Sequence, residues 1–320
     1  MASKHRLVLI LFILAIFNDA EVFSQNRYTD NSGQLNYSDL DSWYFRLIKE
    51  SFLIGGESTK LFQIGNSSDT PALTANSESP WGTSNLHAKI GIDIASACVF
   101  PEPRNKGFCC RMETNIRGVH VIGVTIDALV TGAIFLGEFI EPVKSIKSPI
   151  KKMNHGIPFA RHPRAVKFDY KCSPGQNRIN TEKNEMAVPG PDKAEFCMIL
   201  QKRWEDIDGN IFATRIGGTR VFFNDTNNQW VNNTTFELKY GDISRESFYE
   251  PQTMGLIPSV GPMYVKNSKG LMVPLIEKNW GKGDEIPTHL VMYFNSSYQG
   301  IDFIGSPESV FWVDNISLVY

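Results

Sequence analysis

Residues 164–171 read Arg-Ala-Val-Lys-Phe-Asp-Tyr-Lys, and their alternation sets the fold class. Val166, Phe168 and Tyr170 fall on one face; Ala165, Lys167, Asp169 and Lys171 fall on the other. Side chains two apart share a face in extended backbone, so the stretch reads as a half-buried strand. Downstream, Glu195 to Arg203 and Ile211 to Ile216 flank Asp206-Ile207-Asp208-Gly209-Asn210. An Asp-Gly pair between two apolar runs is a hairpin signal. Upstream, 119–126 is rich in β-branched residues, and Ala133 to Ile140 continues the apolar character after Gly132. His120, Asp127 and Glu138 argue for buried strands there and against a membrane helix. Arg220–Phe223, Thr235–Tyr240, Leu290–Asn295 and Val310–Tyr320 are further strand candidates. Asp41 to Lys49 reads as a short helix, irregular chain or an opening strand. The expectation is an all-β, jelly-roll β-sandwich in one domain over 36–320, with no internal repeat or long linker.

Composition narrows the function. The 320 residues carry 32 Lys+Arg against 34 Asp+Glu, a formal net charge of -2. A nucleic-acid binder ordinarily shows a basic excess, so no nucleic-acid partner is expected. The 25 Gly, 17 Pro and 21 Phe suit a turn-rich β protein. Lys4, His5 and Arg6 precede an apolar run from Leu7 to Phe17, too short to span a bilayer. Residues 1–25 therefore read as a secretory signal peptide, with cleavage near Ser24 or Gln25 and Ala20 as the alternative. The mature chain is expected to be exported to the periplasm, the cell surface or the medium, with no transmembrane segment. Residues 26–35 are polar and read as a flexible leader.

Five cysteines, Cys98, Cys109, Cys110, Cys172 and Cys197, include no C-x-x-C pair. Cys172 and Cys197 bound a polar loop between two candidate neighbouring strands, which predicts that they lie close enough to bridge. No phosphate-binding glycine loop, G-x-S-x-G elbow or H-E-x-x-H occurs. Asp206-x-Asp208-Gly209-Asn210 opens like a calcium loop, but Gly217 stands where the twelfth-position Glu is required, so a plain turn is expected. Asp169 and Glu195 could approach as a hydrolytic carboxylate pair if their strands paired.

Four stretches carry a family resemblance. His155-Gly156-Ile157-Pro158-Phe159 followed by 161–171, then Phe311-Trp312-Val313-Asp314-Asn315-Ile316-Ser317-Leu318-Val319-Tyr320, are two of them. Thr131 to Phe139 and Asp208-Gly209-Asn210 are the others. Together they resemble the putative carbohydrate metabolism domain (PCMD) family of Bacteroidetes over about 80–320. Phe168-Asp169 departs from the Gly-Tyr expected there and puts an acid on a polar strand face. The resemblance implies a β jelly roll of exported proteins linked to glycan use, and it supplies no catalytic set.

The leading expectation is a carbohydrate-binding or glycan-handling protein with a glycan as its partner. A glycoside hydrolase with paired carboxylates and a structural or adhesive surface protein are the alternatives. Aromatic rings stack on saccharide C–H faces while polar side chains fix orientation. On that basis Trp81, Asn85, Arg161, Lys167, Asp169 and Tyr249 are the expected substrate-binding set. No organic cofactor is expected. By outline resemblance to sugar-binding jelly rolls, Asp39, Asp41 and Asp314 are the candidate ligands of a structural Ca2+.

Overall fold

The structure, a computed structural model, describes residues 27–74, 78–121, 124–145, 148–183 and 185–320. The signal peptide expected over 1–25 lies outside the described residues. The fold is all-β. Seven strands close a barrel in the order His289–Asn295, Ala194–Glu205, Ile211–Phe223, Met272–Trp280, Tyr264–Lys266, Met153–His155 and Ala133–Phe139. Phe135 pairs with Tyr293, and Ala133 with Asn295, to complete the ring. Two junctions are parallel, Ile211–Phe223 beside Met272–Trp280 and Met153–His155 beside Tyr264–Lys266. A closed ring leaves no sheet edge to template aggregation. Gly137, at φ +132°, makes one junction possible, because a Cβ there would lie 1.9 Å from the Asn154 carbonyl oxygen.

Against one wall of the barrel lies a second sheet. Its strands run Asn227–Glu237, Ala165–Ser173, Val310–Val319, Gly107–Val121 and Val99–Arg104, with Val124–Thr131 also paired to Gly107–Val121. The expected two sheets of a jelly roll are thus built as a closed barrel plus a covering sheet, and the pairings do not specifically reproduce the jelly-roll strand order. The apolar face expected for 164–171 packs inward. Phe168 is fully buried, with its ring 4.9 Å from Phe196 and 5.1 Å from Phe294 on the barrel wall. Edge-to-face aromatic pairs of this kind add about 0.5–1.5 kcal/mol each to the burial itself.

Strand parity separates two apolar clusters. Phe196, Met198, Leu200, Met292 and Phe294 face the covering sheet. Cys197, Ile199, Val291, Ala213, Leu275 and Val265 face the barrel lumen. That parity corrects the expected bridge. Cys172 joins the first cluster and Cys197 the second, so the barrel wall stands between them and all five cysteines are free. Asp206 to Asn210 is the expected turn, closed by the Gly209 amide donating to the Asp206 carbonyl at 3.0 Å.

The opening segment is also extended. Trp43–Lys49 pairs with Ser58–Ile64, so of the three readings of 41–49 the strand is the one observed. The described part of the expected leader is tied to the closing strand. Gln34 donates to the Leu318 carbonyl and accepts from the Leu318 amide, and Leu35 is buried. Among the described residues no helix is long and apolar enough to cross a membrane.

Candidate binding site at the barrel mouth

Glu195, Cys197 and Ile199 alternate with the outward Phe196, Met198 and Leu200, so the strand is buried on both faces. A glutamate in such a strand needs partners, because an isolated buried carboxylate is costly. Its neighbours supply them. Asn295 lies directly opposite Glu195, Tyr293 opposite Cys197 on the same side, and Arg220 opposite Cys197 on the other. Arg220 Nε donates to Glu195 Oε1 at 2.6 Å, Tyr293 Oη donates to the same oxygen at 3.0 Å, and Asn295 Nδ2 donates to Oε2 at 3.2 Å. The Glu195 side chain is 1% exposed.

These charges tune one another. Burial alone would lower the Arg220 guanidinium, but the charge and hydrogen bond of the Glu195 carboxylate outweigh it and hold Arg220 above the ordinary arginine value. Burial, then the neighbouring Cys197 and Glu195, drive the Tyr293 phenol well above its ordinary value, so it stays protonated and donates. Burial pushes the Cys197 thiol up to about 11, which leaves it a weak nucleophile.

Above this group opens a cavity of about 580 Å³, within the range of small-molecule sites. Its lower wall is apolar, with Phe135, Ile199 and Met263 in the lumen. Its rim carries Trp280, Phe222 and Tyr298. Trp280 meets Tyr249 edge-on with centroids 6.3 Å apart, and Phe222 meets Tyr298 edge-on at 5.6 Å. Two arginines pin the short helix Pro251–Met254, whose Gln252, Thr253 and Met254 line the cavity. Arg220 Nη1 donates to the Thr253 carbonyl at 3.0 Å, and Arg215 Nη1 donates to the Met254 carbonyl at 2.9 Å. Arg215 is held in turn by Glu277, whose Oε1 accepts from Arg215 Nε at 3.0 Å and from Gln201 Nε2 at 2.7 Å. Asp302 also lines the cavity, its carboxyl raised by burial and then by Glu182.

The sequence-predicted residues do not converge here. Trp81 is a core residue, 3% exposed, with Nε1 donating to the Asn36 carbonyl at 3.0 Å. Asn85, 0% exposed, stitches strands together: its Nδ2 donates to the Phe62 and Val99 carbonyls and its Oδ1 accepts from the Cys98 and Val99 amides. Arg161 donates to the carbonyls of Ser32 and Asn31 and lies over the Tyr320 ring. Lys167 lies half-buried on the covering sheet. Asp169 is buried in an ion pair with Arg104 at 2.9 Å and accepts from the Asn233 amide at 2.7 Å and Asn315 Nδ2 at 3.0 Å. Tyr249 does not line the cavity itself but meets Trp280, which does, edge-on. Asp169 and Glu195 cannot act as a pair, because Ala165–Ser173 hydrogen-bonds to Asn227–Glu237 and Val310–Val319 and not to Ala194–Glu205.

Nor are the three candidate calcium ligands gathered as a metal shell. Asp39 Oδ1 accepts from the Asp41 amide at 3.4 Å, Asp41 Oδ1 accepts from the Phe108 amide at 2.7 Å, and Asp314 is ion-paired to Arg104. Among the described residues no group of three or more His, Cys, Asp or Glu side chains stands at metal-ligand spacing.

The sequence model described as "Putative carbohydrate metabolism domain" matches residues 56–250. A solved structure described as a putative glycoside hydrolase from Bacteroides thetaiotaomicron is 14% identical, with 86% of this chain and 71% of that chain covered and a TM-score of 0.49. A second, a putative glycoside hydrolase from Bacteroides vulgatus, is 15% identical, with 77% and 89% covered and a TM-score of 0.45. No curated protein matches.

Proposed function

The chain belongs to the family of the putative carbohydrate metabolism domain, and from that premise we propose that it is a saccharide-binding protein whose ligand enters the barrel mouth. The observation that carries the reading is the rim. Trp280, Phe222 and Tyr298 border a cavity that has Arg220, Glu195 and Asn295 among its wall residues, and Tyr249 meets Trp280 edge-on. Rings offer area to the C–H faces of a sugar, and a fixed cation, carboxylate and amide offer directional bonds to its hydroxyls. Glu195 is already engaged by three donors, which favours a positioning role over attack on a glycosidic bond.

Hydrolysis is the second reading, and Asp302 is the observation in its favour. Its raised carboxyl on the wall of the same cavity suits a general acid. We also read the protein as exported, on the basic head and apolar run of residues 4–17. Screening the purified protein on immobilised plant, algal and host glycans tests the binding reading. Retention of at least one glycan without release of reducing ends supports it. Release of reducing ends moves the assignment to hydrolysis, and retention of none moves it to a structural role.

A further inference from the structure

The covering sheet has a solvent face as well as a core face. There, four side chains stand in one transverse row on four adjacent strands: Lys171 opposite Trp312, Trp312 opposite Arg111, and Arg111 opposite Phe100. Parity puts them outward, since their strand neighbours Cys172, Val313, Phe311, Cys110, Met112 and Val99 are in the core. The row alternates cation and ring. The Lys171 ammonium lies 3.9 Å from the Trp312 ring centroid and 5.9 Å from that of Trp230 on the edge strand. Arg111 lies 4.8 Å over Phe100. All four are half-buried and keep a solvent-facing side.

Charge distinguishes Lys171 from the rest. Arg111 is matched by Glu102 at 3.2 Å and Glu113 at 2.6 Å, and Arg104 by Asp169 and Asp314. Lys171 forms no ion pair among the described residues and stands between two tryptophans. A half-buried ammonium with no counter-ion, flanked by rings, complements a ligand with an apolar ring face and an anionic substituent. Strands sit about 4.7–4.9 Å apart, so a four-strand row presents contacts along a line rather than in a pit, as an extended chain requires.

We propose that this face is a second binding site, for an anionic saccharide chain, with Lys171 as its anion contact and Trp312 as its stacking platform; the Trp230 ring is already covered by Arg104 at 3.8 Å. The proposal shares the saccharide chemistry of the proposed function but stands on a surface separate from the barrel mouth. Affinity electrophoresis of the full chain at 0.15 M salt tests it, with polygalacturonate as a carboxylated polymer, dextran sulfate as a sulfated one and dextran as a neutral one. At least one anionic polymer should retard the protein, and dextran should not. Lys171→Gln should weaken that retardation at least tenfold, Lys171→Arg should restore most of it, and Trp280→Ala at the barrel mouth should leave it unchanged. Lys171 is a surface residue, so its variants are expected to fold; far-UV circular dichroism and unchanged thermal midpoints check this. Equal retardation of wild type and Lys171→Gln overturns the proposal, as does retardation by neither anionic polymer. Loss in Trp280→Ala alone would place the anion at the mouth and overturn it too. If the wild type retains a glycan at the mouth while neither anionic polymer retards it, this site falls and the mouth reading stands.

Discussion

Arg220 and Glu195 meet through a 2.6 Å hydrogen bond, Nε to Oε1, between neighbouring strands of the barrel. The pair is nearly out of water, and each partner makes the other's burial tolerable. Removing one member of such a pair strands a buried charge, at about 3–5 kcal/mol. Arg220→Met is therefore expected to lower unfolding free energy in urea by about that amount. The double variant Arg220→Met/Glu195→Met should recover much of the loss, because no charge is then left behind. A double variant as unstable as the single one would mean that Glu195 is not the reason Arg220 matters.

Arg104 separates two carboxylates that look alike in sequence. Burial dominates at Asp314 and raises its carboxyl above the ordinary aspartate value. At Asp169 burial also raises, but the Asn233 amide, Asn315 and Arg104 together outweigh it and hold the carboxyl low. Asp169→Asn should accordingly cost roughly 1.5–3 kcal/mol, the scale of a hydrogen bond to a charged group. Asp314→Asn should cost less than Asp169→Asn. Denaturant midpoints of the two variants at pH 7 check the order.

The buried His155 and the half-buried His289 set a pH window. Burial first, and then the nearby Arg203, lower His155 to about 4, with the Tyr264 carbonyl opposing. Burial and Arg203 also hold His289 well below its ordinary value. An unfolded imidazole titrates near 6.5. Between about pH 6.5 and 4 the unfolded chain takes up protons that the native one refuses, so stability falls as pH falls. For His155 alone the loss reaches at most about 3 kcal/mol at pH 4. His155→Gln should flatten the difference between stability at pH 7 and pH 5. An unchanged slope would show that His155 is protonated in the native barrel.

The thiols give a direct count. Burial pushes Cys98, Cys109 and Cys172 up to about 12 and Cys197 up to about 11, and holds Cys110 well above its ordinary value. Native protein at pH 8 should react slowly with Ellman's reagent, and denatured protein should release five thiols. Three thiols would indicate one disulfide.

Much of the fold was legible because period-two alternation survives wherever one face meets water. The 164–171 strand is the clearest case: Phe168 is buried as its pattern implies. The closed barrel was not legible, since closure depends on pairings such as Phe135 with Tyr293, 158 residues apart, which no local pattern encodes. The site was harder. Trp81 and Asn85 sit in a turn-rich stretch that suggested a surface, yet the indole and the amide both serve buried backbone. One signal pointed to the mouth: Glu195 interrupts a run, Phe196 to Leu200, that is apolar on both faces. A carboxylate in such a run demands a cation, and Arg220 in the next strand is the one that answers. Trp280, at a strand end, and Tyr298, in the turn after His289–Asn295, carried no comparable mark, because an aromatic at such a place reads equally well as core.

The central claim is that saccharide binds between the rim aromatics of the barrel mouth, and titration calorimetry of Trp280→Ala with a glycan retained by the wild type tests it most directly. Loss of a stacking anchor should weaken binding by roughly 1–2 kcal/mol, about five- to thirtyfold, with the fold intact by circular dichroism. Unchanged affinity in a correctly folded Trp280→Ala protein would contradict the account.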